Sequence, residues 1–143
     1  MNEIIKRLES PEECMKFVDI YTELANQARL RAIELRAKSH PSNTYVETEL
    51  YKVLYAYEDV LSKKNGKKTR ASRTWQMVRK YGIIGAAERA VNRDVDPQGY
   101  KILVEMRLEK LTFEQVIVDY PNAFGNDVVN RAKERLNKLN DLH

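Results

Sequence analysis

The chain has 143 residues, 43% apolar and 32% charged, with 25 Lys and Arg against 21 Asp and Glu and a net charge of +4. That length suits one domain, and that apolar share excludes wholesale disorder. A lone cysteine, Cys14, excludes an internal disulfide, and apolar runs of only a few residues exclude a helical bilayer span.

The N-terminal stretch from Met1 to Leu8 is charged and lacks the apolar core of a signal peptide, so the expected setting is cytoplasmic. Ser10-Pro11-Glu12-Glu13 then reads as an N-cap, a Pro at the first helical position and an acid closing a capping box. The following helix should run to about residue 38, because Pro41 restricts what precedes it. Phe17, Val18, Tyr21, Leu24, Ala28, Ala32 and Leu35 recur at helical spacing and form one apolar stripe, and Cys14 reads as a packed core thiol.

Thr44 and Glu47 are spaced as the capping box of a second helix, which Asn65-Gly66 closes. Its stripe is Val46, Leu50, Val53, Leu54, Tyr57 and Leu61, with Tyr51 and Tyr55 off that stripe. Thr69 caps a predicted third helix over residues 70–81, with Ala71, Trp75 and Val78 inward. Gly82 ends it, and a fourth helix is predicted over 84–93. Asp96-Pro97 supplies the cap and first residue of a fifth helix, carrying Tyr100, Leu103, Val104 and Met106. Thr112, with Gln115 three residues on, opens a sixth that stops at Tyr120-Pro121. Val116-Ile117-Val118 is strand-like in composition, but it is too short for a sheet and reads as helix. A seventh helix starts near Asn126, with Val129, Ala132, Leu136 and Leu139 inward. With no alternating segment and no repeat, the predicted fold is all-α: one irregular bundle of six or seven helices, a single domain over residues 1–143.

Charge is unevenly placed. Lys63, Lys64, Lys67, Lys68, Arg70, Arg73, Arg79 and Lys80 stand in a segment without Asp or Glu; removing those eight leaves 17 basic against 21 acidic residues. Such a run repels itself, and a phosphate partner relieves that repulsion. Arg70 and Arg73 fall on the first turn of the predicted third helix, whose free N–H groups suit a phosphate. Three readings of the segment stay open: nucleic-acid contact, contact with an acidic protein surface, and a solvated loop.

Other patterns fit less well. The helices on either side of Gly82 have the outline of a helix-turn-helix, but Glu88 stands where an apolar residue belongs. Ala86, Ala87 and Ala90 offer no base-edge hydrogen bonds, leaving Arg89, Asn92 and Arg93 as candidate readers. Gly82-Ile83-Ile84-Gly85 spells a KH-type glycine pattern without its flanking strands. The two histidines, His40 and His143, lack metal-site spacing. A Cys14–His40 dyad, and Asp94 with Asp96 as metal ligands, are the remaining catalytic options; capping by Asp96 is the simpler account. No catalytic residue, metal or cofactor is expected.

The residues from Asn65 through Met77, then Gly82-Ile83-Ile84 and Ala90-Val91-Asn92-Arg93, resemble a family of small bacterial proteins of unknown function. The similarity continues through Gly99-Tyr100 and Leu103-Val104-Glu105-Met106 to Tyr120-Pro121, covering residues 45–136. The resemblance implies a bacterial or phage-like source and no activity or site. The leading expectation is a non-enzymatic, nucleic-acid-associated module contacting phosphates through the eight basic residues above. The alternative is a protein–protein adaptor, with a second copy of itself or another protein as partner, using Tyr51 and Tyr55 or the long first helix.

Overall fold

Helix boundaries fall largely where cap chemistry places them. The structure, a computed structural model, describes residues 1–142; His143 lies outside them. Among the described residues there are seven α-helices, one 3-10 turn and no strand: α1 (Glu3–Lys6), α2 (Pro11–Lys38), α3 (Tyr45–Asn65), α4 (Ser72–Ala90), α5 (Pro97–Glu105), α6 (Phe113–Asp119), the turn Pro121–Ala123, and α7 (Asn126–Asp141). The all-α expectation holds, and Val116-Ile117-Val118 is helical.

The predicted caps of α2, α3, α5 and α6 form. The Ser10 hydroxyl accepts from Glu13 N–H at 3.1 Å, and Glu13 returns an acceptor to Glu9 N–H at 2.9 Å. Thr44 accepts from Glu47 N–H at 3.3 Å, Asp96 from Gly99 N–H at 3.0 Å and Thr112 from Gln115 N–H at 3.1 Å. Gly66 takes the left-handed conformation, φ 67°, that closes α3. Helix α5 ends similarly without a glycine. Arg107 adopts φ 60°, while Leu108 N–H reaches back to the Leu103 carbonyl at 2.8 Å.

The chain divides into two compact units, Met1–Ala32 and Ile33–His143. In the first, no residue is fully buried. The stripe expected to face a core is largely in solvent: Val18, Tyr21 and Leu24 are each about half exposed, and Cys14 is only half-buried. Phe17 and Tyr21 stack on each other, centroids 4.1 Å apart.

The second unit holds the core. Leu50 and Val53 of α3 pack with Ile83, Ala87 and Val91, with Val116 and Ile117 of α6, and with Val128, Val129 and Ala132 of α7. A second cluster gathers Ile33, Ala56, Val60, Tyr100, Leu103, Met106, Leu108 and Leu139. The third is small, Leu54 with Ala71 and Trp75, and it joins α3 to the start of α4. One buried ion pair crosses from α6 to α7: Arg135 Nε lies 2.8 Å from Glu114 Oε1, both side chains under 15% exposed. Arg135 also donates to the Arg93 carbonyl, and Arg131 donates to Asn92, so α7 is tied to the turn that follows α4.

Candidate nucleic-acid interface

The basic segment runs from the last turn of α3, which carries Lys63 and Lys64, through the α3–α4 loop into the first half of α4. The loop is pinned by its own polar side chains. Ser62 Oγ accepts from Thr69 N–H at 2.8 Å and donates to the Thr69 carbonyl at 3.3 Å; Asn65 donates to Thr69 Oγ1 at 3.2 Å; and Thr69 Oγ1 donates to the Lys67 carbonyl at 2.9 Å. Thr69 therefore closes the loop and does not cap α4. The N-cap position is Ala71, without a side-chain cap bond, so the predicted start at residue 70 moves to Ser72. Arg70 precedes the helix, and only Arg73 lies in its first turn.

The anion position at this helix start belongs to Glu58. Its Oε2 accepts from Ala71 N–H at 2.8 Å and from Trp75 Nε1–H at 2.9 Å, and it lies 3.8 Å from Arg70 Nε. A carboxylate from α3 thus takes the place where the sequence suggested a phosphate. Arg70 also sits over the Trp75 ring, 5.7 Å from its centroid. Lys64 pairs with Asp96 at 3.3 Å. Of the eight predicted contacts, these two cations are already neutralised.

The other six, Lys63, Lys67, Lys68, Arg73, Arg79 and Lys80, are exposed and make no ion pair among the described residues. Arg73, Gln76, Arg79 and Lys80 fall within one arc of α4, opposite its buried Thr74 and Trp75. Lys80 lies 5.2 Å and Arg89 3.4 Å from the Tyr81 ring centroid. Hydrogen bonding to Lys80 first, and to Arg89 next, holds the Tyr81 hydroxyl below its ordinary value near 10.

Helix α4 is interrupted at Gly82, φ 77° and ψ 169°. The candidate base-readers beyond it are engaged within the fold. Arg89 lies on Tyr81, Asn92 accepts from Arg131, and Arg93 donates to Met77 Sδ at 3.3 Å. Ile83, Ala86 and Ala87 are buried, so this helix turns its small residues to the core and away from any groove.

The catalytic options have other occupations. His40 Nε2 lies 2.5 Å from the Tyr55 hydroxyl, and its ring is parallel to Tyr51 at 4.2 Å. Burial pushes the His40 pKa below its ordinary value of 6.5. No trio of His, Cys, Asp and Glu able to hold a metal exists among the described residues. A cavity of about 190 Å³ is bordered by Asp94, Asp96 and Glu114, but Asp96 caps α5 and Glu114 is paired with Arg135.

Glu58 and the His40–Tyr51–Tyr55–Trp75 cluster were not foreseen. The Glu58 partners lie 13 and 17 residues away, so no local spacing announces them. No family model, curated protein or solved structure matches this chain. The resemblance to small bacterial proteins rests on the quoted residues alone.

Proposed function

We propose that the chain is a non-enzymatic, nucleic-acid-associated helical module, with the last turn of α3, the α3–α4 loop and the first half of α4 as its phosphate-contacting surface. One observation carries this reading: six exposed cations without acidic partners stand on the last turn of α3, on the hydrogen-bonded loop that follows it and on a single arc of α4. A pinned loop loses less conformational freedom on binding than a mobile one. Arg89, Asn92 and Arg93, the candidate base-readers beyond Gly82, are engaged in internal contacts, so the proposed binding is to backbone phosphates and does not discriminate sequence. A cytoplasmic setting belongs to the same proposal.

Fluorescence anisotropy of labelled duplex DNA, single-stranded DNA and RNA tests it, across a range of salt. If the six cations each meet a phosphate, log K falls with log salt at a slope of about −5 for duplex. Changing Lys67, Lys68, Arg73 and Lys80 to Ala should flatten that slope. Changing Lys64 and Arg70 should affect it much less, because both already have carboxylate partners. No binding at low salt ends the proposal. Equal binding to polyglutamate transfers the surface to an acidic protein partner.

A further inference from the structure

The cavity of about 190 Å³ lies among α3, α4, α5, α6 and α7, with the segment after α4 at its rim. Gaps between packed helices are a common place for small-molecule sites. Val53, Val60, Leu103 and Leu139, all buried, line it. An apolar cavity of about 150 Å³ holds a benzene molecule. This one therefore has room for one apolar group the size of a benzyl or isobutyl side chain.

Polar groups without partners border the same space. Thr74 lines the cavity and is only 5% exposed. Its hydroxyl makes no hydrogen bond among the described residues and is not sealed within the packing, so it opens onto the cavity. A buried hydroxyl left in this way calls for a partner. At the rim, the Arg93 guanidinium makes a single hydrogen bond, 3.3 Å long, to the Met77 thioether, a weak acceptor. Asp94 makes no hydrogen bond or ion pair among the described residues. The other charges of the lining are paired, Arg135 with Glu114 and Asp96 with Lys64.

These unpaired charges select the ligand. One cation and one anion stand at the rim, and neither is bonded to the other. A lone carboxylate would meet Arg93 but be opposed by Asp94, and a lone amine would do the reverse. A zwitterion satisfies both. Thr74 precedes Met77 by about one turn of α4, so its hydroxyl and the Arg93 guanidinium border one wall. A single carboxylate can accept from both.

We infer that the cavity binds a free α-amino acid with a single-ring or branched aliphatic side chain. The side chain fills the apolar interior, the carboxylate accepts from Arg93 and Thr74, and the ammonium donates to Asp94. The site uses none of the six exposed cations, so it is independent of the nucleic-acid reading and is tested without nucleic acid.

NMR titration of the isotope-labelled full chain with phenylalanine and with leucine, up to tens of millimolar, reads binding directly. Both should bind, and glycine, which has no side chain to bury, should not. Hydrocinnamate lacks the ammonium and phenethylamine lacks the carboxylate; each should bind on the order of tenfold more weakly than phenylalanine. Arg93→Gln and Thr74→Val should each weaken phenylalanine and hydrocinnamate and leave phenethylamine unchanged. Asp94→Asn should weaken phenylalanine and phenethylamine and leave hydrocinnamate unchanged. Arg93 and Asp94 are exposed, so their variants test the site even if the buried change at Thr74 disturbs folding. Absence of binding by both phenylalanine and leucine overturns the proposal. So does equal binding of phenylalanine and its two truncated analogues, and so does an affinity unmoved by Arg93→Gln and Asp94→Asn.

Discussion

Helix α2 and helix α3 begin alike and end differently. Both open on a capping box, both carry an apolar stripe of helical period, and both exceed twenty residues. Yet α3 buries Leu50, Val53, Leu54, Ala56 and Val60, whereas α2 buries only Ile33 and Ala37, both in its C-terminal part. Periodicity says that a helix has an apolar face; it does not say whether the same chain covers that face. Substitutions on the covered and uncovered stripes should therefore differ in cost.

The largest effect is expected at the α6–α7 ion pair. Arg135→Ala leaves Glu114 buried and charged without its partner, and should cost about 4 kcal/mol in urea unfolding. Replacing both residues with apolar side chains of similar volume should cost far less. If the single and double changes prove equal, the pair is not a buried one in energetic terms.

The next effect compares two leucines directly. Leu50→Ala empties a fully enclosed position and should cost about 3 kcal/mol. Leu24→Ala, at a residue 51% exposed, should change the stability of the dilute chain by less than about 0.5 kcal/mol. Equal losses would mean that the first unit has a core of its own.

A smaller cost should attend Gly82→Ala. A Cβ there meets nothing within 4 Å, so the whole penalty is the backbone conformation, about 2 kcal/mol. The loss should appear in unfolding free energy while the helix content of the folded chain is kept.

The smallest effect is titration of His40. Its folded pKa is lowered by burial, so the unfolded chain takes up the proton first as pH falls. Stability is then full above about 6.5, the ordinary histidine value, and erodes below it until the folded pKa is passed. Acidic groups also titrate at lower pH, so the diagnostic is a difference: His40→Gln should flatten the urea midpoint between pH 5 and pH 7 relative to the parent chain.

Much of the candidate surface was legible in the sequence. The run of bases without an acid is a local property, and six of its eight members stand free of ion pairs. Its two neutralised members were not legible. Arg70 meets Glu58 and Lys64 meets Asp96 through tertiary proximity, across 12 and 32 residues. The helix start that looked open to a phosphate is closed by Glu58 for the same reason.

Helix existence, most of the caps and the all-α class were determined by the sequence itself. Those features arise from interactions within four residues: hydroxyls and carboxylates capping nearby N–H groups, a left-handed glycine, and apolar residues at helical period. The tertiary structure alone decided which apolar stripe is covered, which carboxylate sits at the start of α4, and which arginine is buried. Each depends on residues brought together from distant parts of the chain, and burial is a property of what surrounds a side chain, not of its own spacing.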